Sequence, residues 1–208
     1  PYPLFVKPVA EGTSKGIGAY SVVGSTDQLV PLTARLMGEH KQPLLVEAYL
    51  GGRELTVGVV GSGESAEAVG VLEVLFRKGR TNVYSYTHKE LWQRYIHYQL
   101  AGDLAAQQAQ DMALTIWRGF GCRDAGRVDF RLDTKGKVHF LEVNPLPGLH
   151  PTHSDLPILW MQTGRPYREL IRSIVESAHT RVAASAPSLS MLESVRRQAG
   201  YSTAVGGD

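Results

Sequence analysis

Two short apolar runs, Gly126 to Leu132 and Val138 to Asn144, flank the tetrapeptide Asp133-Thr-Lys-Gly136. A turn of that composition between two such runs is the chemistry of a β-hairpin. Side chains two apart on a strand share a face, so Glu142 and Asn144 point the same way, as do Arg127 and Asp129 on the partner strand. One face of one hairpin then presents two carboxylates, an amide oxygen and a guanidinium. Such an all-oxygen set suits a hard divalent cation, with an arginine beside it to hold phosphate oxygens. The alternative is an edge hairpin with a solvated polar face.

The chain has 208 residues, enough for one large domain or two small lobes with a true core. Hydrophobic residues make up 43% and charged residues 20%, the balance of an ordinary globular protein. The net charge is +2 and the basic residues are scattered, so no cationic stripe marks a nucleic-acid partner. No apolar run approaches the roughly 20 residues of a membrane span, and no leader is recognisable. The lone Cys122, within Gly-Phe-Gly-Cys-Arg, excludes an internal disulfide and reads as a small packed thiol. Because the chain opens on Pro1 without an initiator Met, a fragment is expected.

Along the chain, Pro3 to Pro8 reads as a strand, Glu11 to Gly18 as a glycine-rich turn and Ala19 to Val23 as a returning strand. Ser25 or Thr26 caps a helix running to Gly38, and Pro43 to Leu50 reads as a buried strand stopped by Gly51-Gly52. Arg53 to Val60 and Ala68 to Arg77 alternate as antiparallel strands, and Lys78 to His88 reads as a loop. Leu104 to Phe120 is an Ala- and Gln-rich helix, and the hairpin follows it. Helices over Pro157 to Gln162 and Tyr167 to Val182 close the compact part, before an Ala-, Ser- and Pro-rich tail. Trp92, Tyr95 and Tyr98, at helical spacing, are expected in the core. His139, His150 and His153 lack metal-ligand spacing, so no histidine metal site is expected.

Two further segments carry chemistry. Glycines at 12, 16 and 18, with Thr13 and Ser14, let backbone N–H groups and hydroxyls line a concavity behind Lys7, which could cradle phosphate oxygens. The spacing is neither the dinucleotide fingerprint nor a P-loop, and a plain hairpin turn is the competing account. Leu44-Leu-Val-Glu47-Ala-Tyr-Leu50 exits into Gly-Gly, where backbone groups could meet a purine edge while Leu50 packs on its face and Glu54 reaches a ribose hydroxyl. A core strand with a solvated turn explains that segment equally well.

In order, Val6-Lys7-Pro8, Glu11-Gly-Thr-Ser-Lys-Gly-Ile, Val46-Glu47, Gly52-Arg-Glu-Leu-Thr-Val, Gly126-Arg-Val-Asp-Phe, Leu141-Glu-Val-Asn-Pro-Leu-Pro-Gly-Leu and Ser154-Asp-Leu-Pro resemble the ATP-grasp part of the D-alanine–D-alanine ligase family. The resemblance covers residues 3 to roughly 180. It implies an α+β, ATP-grasp fold: an antiparallel sheet lobe and a larger α+β lobe with nucleotide between them. On the sequence this divides as a partial ATP-binding lobe over 1–60, a lobe with the metal site over 61–182 and an extension over 183–208.

The resemblance also implies roles. Lys7, Gly12, Thr13, Ser14 and Lys89 would hold ATP phosphates, Glu47, Ala48, Leu50 and Glu54 the adenine and ribose, and Leu141 would be a further nucleotide-binding residue. Asp129, Glu142 and Asn144 would bind two Mg²⁺ ions, for which Mn²⁺ could substitute. Arg127, Gly148, Ser154 and Ser14 would be the catalytic set, with Ser154 on the carboxylate of the second substrate. The implied reaction joins two small amino acids through an acylphosphate in peptidoglycan precursor synthesis, in the cytoplasm, in a protein compatible with a homodimer. Glu90 stands where the family carries an aromatic residue over the second substrate, which leaves the D-alanine preference open. A ligase for other amino acids or peptides, or a nucleotide-binding module without turnover, remain the alternatives.

Overall fold

The computed structural model describes residues 1–12, 14–76 and 96–185. Thr13, Lys89, Glu90, Trp92, Tyr95 and the tail lie outside the described residues.

The elements in chain order are β1 (Leu4–Pro8), β2 (Val22–Val23), α1 (Thr26–His40), β3 (Leu44–Ala48), β4 (Glu54–Val60), β5 (Glu67–Phe76), β6 (Ile96–Leu100), α2 (Leu104–Gly119), β7 (Ala125–Leu132), β8 (Val138–Asn144), α3 (Asp155–Gln162) and α4 (Tyr167–Ser185). The strands form two antiparallel sheets, β2-β1-β3 and β6-β5-β4-β7-β8. β4, placed with the first lobe by the sequence division at residue 60, pairs on both sides with strands of the larger sheet.

In the small sheet, β1 alternates. Val6 turns inward and is fully buried with Val23, Leu32 and Leu36 against α1, while Lys7, paired in register with Leu45, takes the opposite face. The expected buried strand over 43–50 is corrected: Leu45 and Val46 are 41% and 42% exposed. β3 is the edge of its sheet, so its apolar composition does not translate into burial. The strand expected over 19–23 is also shorter. Residues Ala19–Ser21 form a 3₁₀ turn in which the Ser21 hydroxyl accepts from the Gly18 N–H at 3.2 Å, leaving two residues for β2.

The larger sheet is covered on both faces. On one, α2 packs Ala106, Ala109, Ala113 and Trp117 against Leu55, Val57, Val128 and Phe130. Asp103 starts that helix by accepting from the Ala106 N–H at 3.0 Å. Gly126 lies under Trp117 so closely that only glycine fits: a Cβ there would sit 2.5 Å from Trp117 Cζ3 and 2.6 Å from the Asn144 carbonyl oxygen. On the other face α3 and α4 bring Leu156, Leu159, Trp160 and Leu170 onto Leu72, Val74 and Tyr98. Tyr98, expected at helical spacing, is instead on strand β6, buried with its hydroxyl donating to Asp155. Cys122 packs beside the α2 core, and burial raises its thiol pKa.

Candidate active site

The alternation of β7 sends Val128, Phe130 and Leu132 into the α2 core and leaves Arg127 and Asp129 on the opposite face. The hairpin register pairs Arg127 with Asn144 and Asp129 with Glu142, and an irregularity follows Asp129. All four polar groups therefore gather on one face, as the spacing requires. The Asn144 amide donates to Asp129 at 3.0 Å and to Glu142 at 3.1 Å. Thr56, directly across on β4, donates to the other Asp129 oxygen at 3.0 Å. Arg127 is held from two sides, by Asp129 at 3.2 Å from its Nε and by Asp155 at the start of α3.

Three carboxylates, Asp129, Glu142 and Asp155, thus surround one guanidinium. Burial is the largest influence on Asp129 and pushes its carboxyl up to about 7; Glu142 and Asp155 add to the rise, and Arg127 and the Thr56 hydroxyl oppose it. Burial works against the Arg127 charge, but Asp129, Asp155 and Glu142 outweigh it and raise its pKa above the ordinary value. Two part-buried carboxylates and the exposed Glu142 around one guanidinium leave a surplus of negative charge that a cation would relieve. Among the described residues no three His, Cys, Asp or Glu side chains gather around a metal position. The donor set here is two carboxylates plus an amide, and the amide offers oxygen to a cation once turned about its last bond. These residues fit Mg²⁺.

Lys7 approaches from the small sheet, with Nζ 3.0 Å from Glu47 Oε1. The glycine-rich turn closes through Lys15 N–H to Gly12 O and Ile17 N–H to Ser14 O, both 3.1 Å, with Ser14 and Gly16 at positive φ. Glu11 fastens this turn to the end of α1, accepting from Gln42 at 3.1 Å and lying 3.4 Å from both His40 and Lys15.

Two adjoining clefts open between the sheets. The first, about 370 Å³, is lined by Ala48, Leu50, Leu141 and Phe140 together with Glu47, Glu54 and Lys7. The second, about 620 Å³, is lined by Gly12, Arg127, Asn144, Gly148, Ser154 and Asp155. Lys7, Ser14, Ile17 and Glu142 line both. Every site residue singled out in the sequence and present among the described residues borders one of the two clefts. Glu54 is paired with Arg131 at 3.2 Å. The Ser154 hydroxyl accepts from the His150 N–H at 3.1 Å, and Gly148 packs against it. His139 is tied to Asp133 at 3.1 Å, and His150 and His153 face one another with Nδ1 atoms 2.9 Å apart.

Thr56, Tyr98, Asp155 and Arg131 were not foreseen as site residues. Thr56 left a trace as the polar residue between Glu54 and Gly58 on one face of β4, and Asp155 as part of the Ser154-Asp-Leu-Pro motif.

The chain is similar to known proteins. The family described as D-ala D-ala ligase C-terminus matches residues 1–176. A D-alanine–D-alanine ligase of Bordetella petrii is 34% identical over 86% of this chain and 53% of its own length. One from Aquifex aeolicus is 32% identical over 84% of this chain and 56% of its own. The chain spans about half the length of the curated relatives it matches. Among solved structures, the VanG D-Ala:D-Ser ligase of Enterococcus faecalis superposes with a TM-score of 0.65 at 26% identity, covering 85% of this chain and 49% of that one. A D-alanine–D-alanine ligase of Bacillus anthracis complexed with ATP gives 0.66 at 19% identity, covering 89% and 55%, which speaks for the fold alone. The α+β ATP-grasp architecture expected from the motifs is therefore the one present, and the chain belongs to the D-alanine–D-alanine ligase C-terminal family.

Proposed function

We propose that the protein to which this chain belongs joins two small amino acids in an ATP-dependent carboxylate–amine ligation of the D-alanine–D-alanine type, supplying peptidoglycan precursors. The supporting observation is the meeting of the two clefts at Lys7 and Glu142, where an ammonium and a cluster of carboxylates border the same space. The apolar first cleft suits adenine, with Glu47 and Glu54 placed for polar contacts and Lys7 for phosphates. Two Mg²⁺ ions, or Mn²⁺, held by Asp129, Glu142 and Asn144 would supply charge neutralisation for phosphate oxygens.

The first substrate's carboxylate oxygen attacks the γ-phosphorus and ADP leaves, giving an acylphosphate. The second substrate's amine then attacks the acyl carbon, loses a proton, and expels inorganic phosphate. An anion approaching a polyphosphate is opposed by repulsion, so the protein's contribution is positioning and preorganised positive charge. Lys7 and Arg127 provide that charge, and the glycine turn with Ser14 excludes water over the phosphates. The Gly148 N–H is available to an oxyanion, and the Ser154 hydroxyl to the carboxylate of the incoming amino acid. Consumption of ATP fits a cytoplasmic setting.

The intact protein should release phosphate from ATP when given D-alanine. Release only with D-serine, L-alanine or small peptides would move the assignment to another ligase, and no release with any of them would overturn it. Gly148→Ala is expected to raise the KM of the second substrate roughly tenfold, because a Cβ there would lie 2.5 Å from Ser154 Oγ and displace it. An unchanged KM in steady-state kinetics would remove Ser154 from the substrate site.

A further inference from the structure

Asp155 is the first residue of α3, following the N-cap Ser154. A carboxylate in a first helical turn is favourable by itself, through the partial positive charge of the exposed N–H groups. Such a residue normally faces water. Here its side chain is only 20% exposed and both oxygens are engaged. Oδ1 accepts the Tyr98 hydroxyl at 2.7 Å, and Oδ2 accepts from Arg127 Nη1. Arg127 is itself 20% exposed; its Nη1 donates to Asp155, while its Nε lies 3.2 Å from Asp129 without a hydrogen bond, so carboxylates from two different elements flank the guanidinium and Asp155 supplies the directional contact. Tyr98 in turn is 9% exposed, fixed on β6 within the core beneath α3. The same Asp155 lines the second cleft beside Ser154 and Gly148.

We propose that Asp155 is a positioning residue for Arg127: oriented by the Tyr98 hydroxyl, it fixes the plane of the guanidinium at the cleft where the phosphoryl group and the acyl adduct are handled. The proposal rests on the ligase reading for the role of Arg127, but the clamp itself is independent of it. Arg127 has several rotatable bonds, and a charge that must meet a transferring group cannot be left to sample them. Asp129 alone cannot hold it in one place, because Asp129 also serves Asn144 and Thr56. Asp155, bound to a rigid helix end and a buried phenol, supplies the second point that defines an orientation.

The test uses the intact protein with ATP and D-alanine. Asp155→Asn should lower kcat about 10- to 100-fold with the KM for ATP changed less than about threefold, since orientation and not nucleotide binding is lost. Asp155→Glu should recover much of the loss, and Tyr98→Phe should lower kcat by about 2- to 12-fold, the range of one hydrogen bond. Nitrogen NMR of the Arg127 guanidinium gives a readout that turnover does not enter. Restricted rotation about its Cζ–Nη bonds should be visible in the wild type and lost in Asp155→Asn. A kcat within twofold of wild type in Asp155→Asn, or freely rotating Arg127 nitrogens in the wild type, would overturn the proposal. If the wild type does not turn over D-alanine, the ligase reading falls and the guanidinium resonances still decide the clamp. If Asp155→Asn fails to fold, Tyr98→Phe and the wild-type resonances carry the decision.

Discussion

Asp129→Asn should make the cation-free protein more stable at pH 8, while abolishing its response to Mg²⁺. The sign follows from the protonation equilibria. In the unfolded chain an aspartate titrates near 3.9, whereas burial holds Asp129 up to about 7 in the folded protein. Between about pH 4 and pH 7 the folded state therefore keeps a proton that the unfolded state has lost. Its stability falls as pH rises through that window, and above it the full penalty is present. Three units of displacement correspond to roughly 4 kcal/mol, and the neighbouring charges make about 2–4 kcal/mol a fair expectation. Asparagine carries no such penalty. Its hydrogen-bonding shape is similar, although its amide cannot accept as a carboxylate does from both Thr56 and Asn144. Thermal melting at pH 5 and pH 8, each with and without Mg²⁺, checks all of this together. The variant's gain on the wild type should be clearly larger at pH 8 than at pH 5, and Mg²⁺ should raise the melting temperature of the wild type alone. A pH-independent difference would mean that Asp129 is ionised in the folded protein at ordinary cost, and the charge surplus inferred for the site would be wrong.

Trp117→Ala should be the most destabilising single truncation of the α2 core, by about 3–5 kcal/mol. The indole is fully buried, and its Nε1–H donates to the Gly61 carbonyl at 3.1 Å. Its ring occupies the space that Gly126 leaves open on the back of β7. Alanine would remove a large apolar volume and leave the part-buried Gly61 carbonyl without its indole donor, and the neighbouring glycine has no side chain to fill the void. For a chain of this size that corresponds to a fall of roughly 10 °C in melting temperature. Calorimetric or chemical denaturation checks the size of the effect. A loss under about 1 kcal/mol would show that α2 is not the support behind the site strand. The link to function is direct, since Gly126 lies one residue before Arg127 and a Cβ there would meet the carbonyl of Asn144.

Much of this site was legible in the sequence because it is local. Arg127, Asp129, Glu142 and Asn144 belong to one hairpin, and strand alternation alone puts them on one face. The same local logic found Lys7 beside the glycine turn and the α2 helix, whose Asp103 cap was not singled out in the sequence. What the sequence did not reveal depends on pairing between distant segments. Thr56 reaches Asp129 across 73 residues of chain and Tyr98 reaches Asp155 across 57, contacts that exist only once the order β6-β5-β4-β7-β8 is set. Leu44 to Leu50 misled for a related reason. An apolar run signals a strand, but whether that strand is central or at an edge is a property of the sheet. Tyr98 shows a third limit, because three aromatic residues at spacing three fit a helix face, yet the last of them lies on a strand.

The central claim is that the acidic face of the hairpin binds a divalent cation together with nucleotide. Calorimetric titration of ATP into the chain, with and without Mg²⁺, tests it most directly in the wild type, Asp129→Ala and Glu142→Ala. The wild type should bind ATP far more tightly when Mg²⁺ is present, by roughly 100-fold, and neither variant should show that difference while both keep the wild-type circular dichroism spectrum. Equal Mg²⁺-dependent affinity in all three proteins would contradict the account.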